Sequence, residues 1–219
     1  MFVGGISYKI IGAILGAALP LGGILIWYIQ QPGQILLHDY QLNRVLSFLN
    51  PSDYLLTTYN QQYNSIMAIG SGMLTGKGLD NNTITSVKGG NFISEPQTDF
   101  IFAVVGEELG FIGSCVVIGL ILLIVIECLR IAKDARDMRG RLVASGVAGI
   151  ITFQSFVNIG VATGILPNTG LPLPFVSYGL SSLLSNFICI GLVLNVGYSG
   201  TGGKFYEHWF SKPMYKKKC

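Results

Sequence analysis

The sequence predicts an all-α polytopic membrane protein with about four transmembrane helices, a large extracellular loop and a re-entrant loop. Three observations predict it. Half of the 219 residues are hydrophobic and only 11% are charged, against about 25% charged in an ordinary soluble domain. The apolar residues gather in runs of about twenty, the length that crosses a bilayer as a helix and, as a helix, pairs its own backbone groups. The basic residues cluster between and after these runs instead of spreading along the chain.

The first run, 10–29, contains Pro20, which a membrane helix accommodates as a kink. The second, 109–129, is rich in Val and Ile and free of proline. The third, 142–166, carries Ser145, Thr152, Gln154, Ser155 and Asn158, so one side is unsuited to lipid and is expected to face other helices. The fourth, 180–196, is short and begins among serines. Gly12/Gly16, Gly106/Gly110 and Gly160/Gly164 place small residues one turn apart, where helix backbones can approach closely. The first run is long and lacks a small-residue cleavage pattern, so it is expected to remain as an anchor. Cysteines 115, 128, 189 and 219 match neither a disulfide framework nor a metal knuckle.

Short loops rich in Lys and Arg stay in the cytoplasm. Arg130, Lys133, Arg136, Arg139 and Arg141 lie between the second and third runs, and Lys204, Lys212, Lys216, Lys217 and Lys218 follow the fourth. Both termini are therefore expected inside, and the 30–108 segment, with Arg44, Lys77 and Lys88 against seven acidic residues, outside. Residues 1–200 read as the membrane domain and 201–219 as a basic cytoplasmic tail. The net charge of +3 describes a cytoplasmic collar near anionic lipid, not a nucleic-acid surface.

A connection as long as 30–108 is expected to carry structure or function. Leu42, Val45, Leu46 and Leu49 fall at helical spacing with Asn43, Arg44 and Ser47 between them, an amphipathic pattern. Lys77, between Gly76 and Gly78, lacks the glycine spacing and following hydroxyl of a P-loop. It can present its ammonium to a phosphate, or stand as an ordinary solvated lysine. Ser94 and Gln97 have capping-box spacing, with Pro96 in the first turn, so a helix is expected to start near Ser94 and lead into the second span, bending at Gly106 or Gly110. Glu95 and Asp99 would then share a face one turn apart. Two such carboxylates disfavour each other's ionised form, which suits one to general-base work, or they hold a divalent cation; the plainer alternative is an acidic helix start facing the dipole. Glu107 and Glu108 read as boundary residues needing only solvation. Between the third and fourth runs, the apolar but proline-rich 166–179 segment cannot be helical, and such backbone is stable at membrane depth only against protein or a wet cavity, hence a re-entrant loop.

These motifs in order resemble the C-terminal part of the SEDS family, the RodA, FtsW and SpoVE proteins of bacterial wall growth, division and sporulation. The resemblance rests on Asp39-Tyr40-Gln41 with Arg44 and Phe48-Leu49-Asn50-Pro51, on Ala68-Ile69-Gly70-Ser71-Gly72 with Gly76-Lys77-Gly78, on Glu95 through Phe102, on Gly106-Glu107-Glu108-Leu109-Gly110, and on 166–182. It looks closer to RodA than to FtsW. It implies a peptidoglycan glycosyltransferase that polymerises lipid II with a class B penicillin-binding protein, this chain supplying the last four of ten crossings, with an upstream transmembrane half encoded elsewhere or missing. By the same resemblance Asp99 is the catalytic carboxylate. Lys77, Glu95, Gln97, Thr98, Arg44, Pro172, Ser177, Ser181 and Ser182 are expected to bind substrate, and Asp99 and Glu95 to hold a divalent cation, Mg or Mn. Two departures stand out. Gln97 replaces the family's usual histidine and cannot carry charge, and Leu180 replaces a glycine, which is expected to narrow the cavity. Lipid II transport across the bilayer, or a non-catalytic role in the wall-synthesis complex, are the alternative readings.

Overall fold

The computed structural model describes residues 39–54, 59–79 and 97–210, together with isolated positions between 12 and 27. Most of the first span, Ser94-Glu95-Pro96, Lys88 and the end of the tail lie outside the described residues. The positions described on either side of Pro20 are helical, as is Pro20 itself.

Six described helices follow in order: α1 (Asp39–Leu49), α2 (Pro51–Tyr54), α3 (Asn60–Ser71), α4 (Ile101–Asp134), α5 (Met138–Ala162) and α6 (Leu180–Phe210). Among the described residues, α4, α5 and the Leu180–Ser199 part of α6 are long and apolar enough to cross a membrane. Each differs in extent from the run that predicted it. Helix α4 starts eight residues before Leu109, because Gly106-Glu107-Glu108 is helical and not a boundary. Helix α5 ends at Ala162, short of Leu166, since Gly164 turns the chain with φ +79. Helix α6 continues through 201–210, so part of the segment read as a tail is helical.

The core lies where α4, α5 and α6 meet, with Ile121, Val125, Ala144, Val147, Ile151 and Val193 buried together with Leu173 of the 166–179 segment. A second cluster of small residues, Ala68, Ala103, Val157 and Val161 with Phe100, joins α3 to the start of α4 and the end of α5. Of the polar residues of α5, Ser155 and Asn158 are buried against the rest of the fold as expected, Ser145 and Gln154 are half-buried, and Thr152 is exposed. Thr152 Oγ1 donates to the Ala148 carbonyl at 2.7 Å and Ser155 Oγ to Ile151 at 2.8 Å, so each hydroxyl is satisfied within its own helix. Asn158 behaves differently, as described below.

Helix α3 packs beside the C-terminus of α5 and donates to carbonyls at and just beyond that helix end. Gln62 Nε2 donates to Val161 O at 2.9 Å and to Leu166 O at 2.7 Å, and Ser65 Oγ to Ala162 O at 2.9 Å. Helix α1 forms where the alternation predicted it, with Leu42, Val45 and Leu46 half-buried. Ser47, expected on the polar side, is buried, and its hydroxyl donates to the Arg44 carbonyl at 3.0 Å.

The glycine pairs separate into real and formal ones. A Cβ on Gly106 would lie 3.0 Å from Ile69 of α3, and one on Gly72 would lie 1.9 Å from Gly106 O, so this pair does mark a close approach. Gly160 faces Leu166 of its own following loop, a Cβ on Gly164 would lie 2.7 Å from Ile66 of α3, and Gly12 and Gly16 have nothing within 4 Å among the described residues.

Candidate functional site

The expected helix from Ser94 does not run through Asp99. Residues 97–99 form a turn, and α4 begins at Ile101 after Phe100 (φ −116, ψ 26), whose side chain makes no cap. Asp99 therefore sits on a turn ahead of the helix, and the one-turn helical pairing with Glu95 does not hold there; Glu95 itself lies outside the described residues. The cause is tertiary. Phe100 is 1% exposed, and its burial against α3 and α5 directs the chain here.

The 97–99 turn rests on the 166–179 segment, which is extended and turning, not helical, as the prolines required. Tyr178 N–H donates to Gln97 O at 2.9 Å. Ser177 Oγ donates to Thr98 O at 2.6 Å and accepts the Leu173 N–H at 2.8 Å. Asn158 Nδ2 donates both to Asp99 O at 2.8 Å and to Leu171 O at 2.7 Å. The half-buried Asp99 carboxylate faces Gly170, where a Cβ would lie 3.2 Å from Oδ2. Gly170 has φ +70, a conformation that glycine adopts freely and that lets the loop pass this close. On the other side of the loop, Arg44 Nη1 donates to Asn168 O at 3.1 Å.

The structure thus brings Arg44, Gln97, Thr98, Asp99 and Ser177 onto one loop system, with Pro172 half-buried in it. Ser177 is 1% exposed with its hydroxyl engaged at both ends, so it holds the loop and is not placed to touch substrate. Gln97 is exposed, Ser181 is exposed and Ser182 half-buried in the first turn of α6. Leu180 is 79% exposed at the start of α6.

Lys77 belongs to a second feature. Helix α4 is broken at Gly110 (φ 67, ψ −163), and residues 73–78 fill the break. Phe111 N–H donates to Met73 O and Ile112 N–H to Leu74 O, while Lys77 N–H and Gly78 N–H donate to the carbonyls of Glu107 and Glu108, at 2.9 to 3.2 Å. These four bonds replace the two helical bonds lost at the break. Lys77 Nζ meets Glu107 Oε1 at 2.8 Å, with the Glu107 side chain 4% exposed. Glu107 is therefore a buried, paired carboxylate and not a solvated boundary residue, and the ammonium of Lys77 is already matched by a charge.

Among the described residues, no three His, Cys, Asp or Glu side chains gather as a metal cage. Sequence reasoning missed Asn158 and Glu107. The signal for both was the same, a polar or charged side chain among apolar residues within a helix, which is retained only where it finds partners.

The family model for FtsW, RodA and SpoVE, described as a cell cycle protein family, matches residues 1–201. The chain is 37% identical over 201 residues to the probable peptidoglycan glycosyltransferase FtsW of Geobacter metallireducens, covering 83% of this chain and 52% of that protein. It is 42% identical over 164 residues to the stage V sporulation protein E of Bacillus subtilis, 75% of this chain and 44% of the relative. The RodA-type peptidoglycan glycosyltransferase MrdB of Escherichia coli is 38% identical over 199 residues, 90% of this chain and 50% of MrdB. A chain of a peptidoglycan synthase complex that coordinates polymerization and crosslinking superimposes with a TM-score of 0.65 at 30% identity, covering 88% of this chain and 50% of that one. This chain spans about half the length of these relatives.

Proposed function

The chain belongs to the FtsW, RodA and SpoVE family, and from that premise we propose that it forms the loop-bearing part of a peptidoglycan glycosyltransferase that polymerises lipid II. It is a multi-pass membrane protein; in this reading the membrane is the bacterial plasma membrane, both termini are cytoplasmic and the Asp99 turn faces outside. The observation that supports the activity is the Asp99 carboxylate, half-buried against Gly170 where the 97–99 turn meets the re-entrant segment.

Glycan extension joins an acceptor sugar hydroxyl to an anomeric carbon as the bond to the lipid pyrophosphate breaks. The hydroxyl is a weak acid, so its proton must pass to a positioned base as the new bond forms, a contribution of about 10²–10⁴ in rate. Asp99 takes that proton. The departing pyrophosphate needs positive charge. Arg44, which shares the 168–170 stretch with Asp99, is better placed for this than Lys77, whose partner is Glu107. A single described carboxylate suits a loosely held magnesium or manganese ion that keeps most of its waters, with Glu95 as a second ligand, and not a closed protein cage. Such an ion would add charge neutralisation at the pyrophosphate.

The test supplies the chain with the upstream crossings of a relative such as MrdB and a class B penicillin-binding protein, and follows glycan-chain formation from purified lipid II. Asp99→Ala is expected to lower it at least about a hundredfold. Polymerisation by Asp99→Ala at the parent rate, or movement of labelled lipid II across vesicles with no polymer formed by the parent, would overturn the assignment.

A further inference from the structure

Three consecutive carbonyls, those of Gln97, Thr98 and Asp99, each accept a hydrogen bond from outside the turn. Two come from the re-entrant segment and the third from Asn158 on α5, which also grips the segment itself through Leu171 O. From this arrangement we propose that Asn158 is a positioning residue for Asp99: it ties the turn to the re-entrant segment, so that the carboxylate is aimed by α5 and not by the helix that follows it. The inference rests on the reading of Asp99 as the base.

The chemistry of the side chain allows little else. Asn158 is 1% exposed in the last two turns of α5, one turn from the buried Ser155 and Val161. A primary amide has two N–H donors, and here both reach carbonyls that belong to two different segments. That pattern fixes which end of the amide is nitrogen, because an oxygen there would face two other oxygens. Its own Oδ1 is buried with no hydrogen-bond partner among the described residues, a penalty borne to keep both donors in use. Ser177, 1% exposed, plays the matching part from within the segment, donating to Thr98 O while accepting from Leu173 N–H.

Because the clasp engages backbone carbonyls, it does not depend on the Asp99 side chain. Clasp and base can therefore be separated by experiment. Asn158→Leu keeps the volume and removes both donors; Ser177→Ala removes the neighbouring tie and leaves Asn158 in place. The readouts are hydrogen–deuterium exchange of the chain in lipid nanodiscs, resolved at the Tyr178 amide, and kcat and KM for lipid II polymerisation by the complemented complex. Asn158→Leu is expected to speed exchange at Tyr178 about tenfold while the interior amides of α4 and α5 keep their protection. It is expected to lower kcat between tenfold and a hundredfold with KM changed less than about threefold, since a shift of the base by about 1 Å has that scale of effect. Ser177→Ala should do the same more weakly. Asp99→Ala should lower turnover at least about a hundredfold and leave exchange at Tyr178 as in the parent. Exchange at Tyr178 unchanged in Asn158→Leu overturns the clasp, and faster exchange with an unchanged kcat overturns the positioning role. Activity retained by Asp99→Ala, or absent from the parent complex, sinks the underlying assignment of the base while the exchange result still decides whether Asn158 holds the turn.

Discussion

Lys77 and Glu107 meet at 2.8 Å, with the glutamate almost wholly enclosed. Removing one member of such a pair takes away the charge that matches the other, which costs about 3–5 kcal/mol in enclosed pairs. The lysine side chain is 30% exposed, so the lower end of that range applies to Lys77→Met, measured as a loss of unfolding free energy in detergent. Glu107→Gln with Lys77→Met should recover most of it, because no unpaired charge then remains. Recovery of stability without the double change, or no loss in Lys77→Met, would show that the pair adds nothing. The phosphate-binding reading of Lys77 predicts instead that Lys77→Met leaves stability alone and weakens lipid II binding.

At the scale of elements, the break in α4 and the loop that fills it are one unit. A Cβ on Gly110 would lie 2.3 Å from Gly76 N, and its φ of +67 disfavours any side chain. Gly110→Ala must therefore displace the 73–78 loop and strip Glu107, Glu108, Phe111 and Ile112 of the bonds it supplies. Protease sensitivity in 73–78 should rise sharply in this variant. Gly78→Ala is the control: its φ of +95 is also strained, but nothing lies within 4 Å of the added methyl. Only backbone strain, about 1–2 kcal/mol, should be lost there. Equal effects of the two substitutions would mean that the loop is not wedged into the break. The cap on α5 makes a milder expectation: Gln62→Ala removes a donor from Leu166 O, and one of two from Val161 O, which keeps the Gly164 N–H, at about 1–3 kcal/mol.

The whole molecule presents much apolar surface. Of the three long apolar helices α5 is the most buried and α6 the least, so α5 is the central helix and α6 faces outward to lipid or to further helices. Orientation follows from charge. A cysteine introduced at Asn82 should react with a membrane-impermeant thiol reagent in cells freed of their outer barrier, while Cys219 should not; the opposite labelling would overturn the inside–outside assignment. The chain by itself is expected to insert into membranes and to polymerise lipid II poorly, since it spans about half the length of its relatives and a lipid-linked substrate needs a groove that holds donor and acceptor in line. Robust polymerisation by the chain alone, verified as a monomer, would show that these helices suffice.

Hydropathy, proline placement and the order of short motifs were enough to read the membrane class, the non-helical 166–179 segment, α1 and Asp99 as the residue to test. These are legible because they depend on local composition and periodicity: a run of about twenty apolar residues has one way to satisfy its backbone in lipid, and proline removes a donor wherever it stands. The helix limits, the turn at 97–99, the burial of Glu107 and the part played by Asn158 were decided by tertiary structure alone. Each depends on a partner remote in sequence: Phe100 on the α3–α5 contact, Glu107 on Lys77 thirty positions earlier, and Asn158 on two carbonyls from separate segments. A buried polar group is stable only when paired, and a linear sequence announces the need for a partner without saying where the fold will supply it.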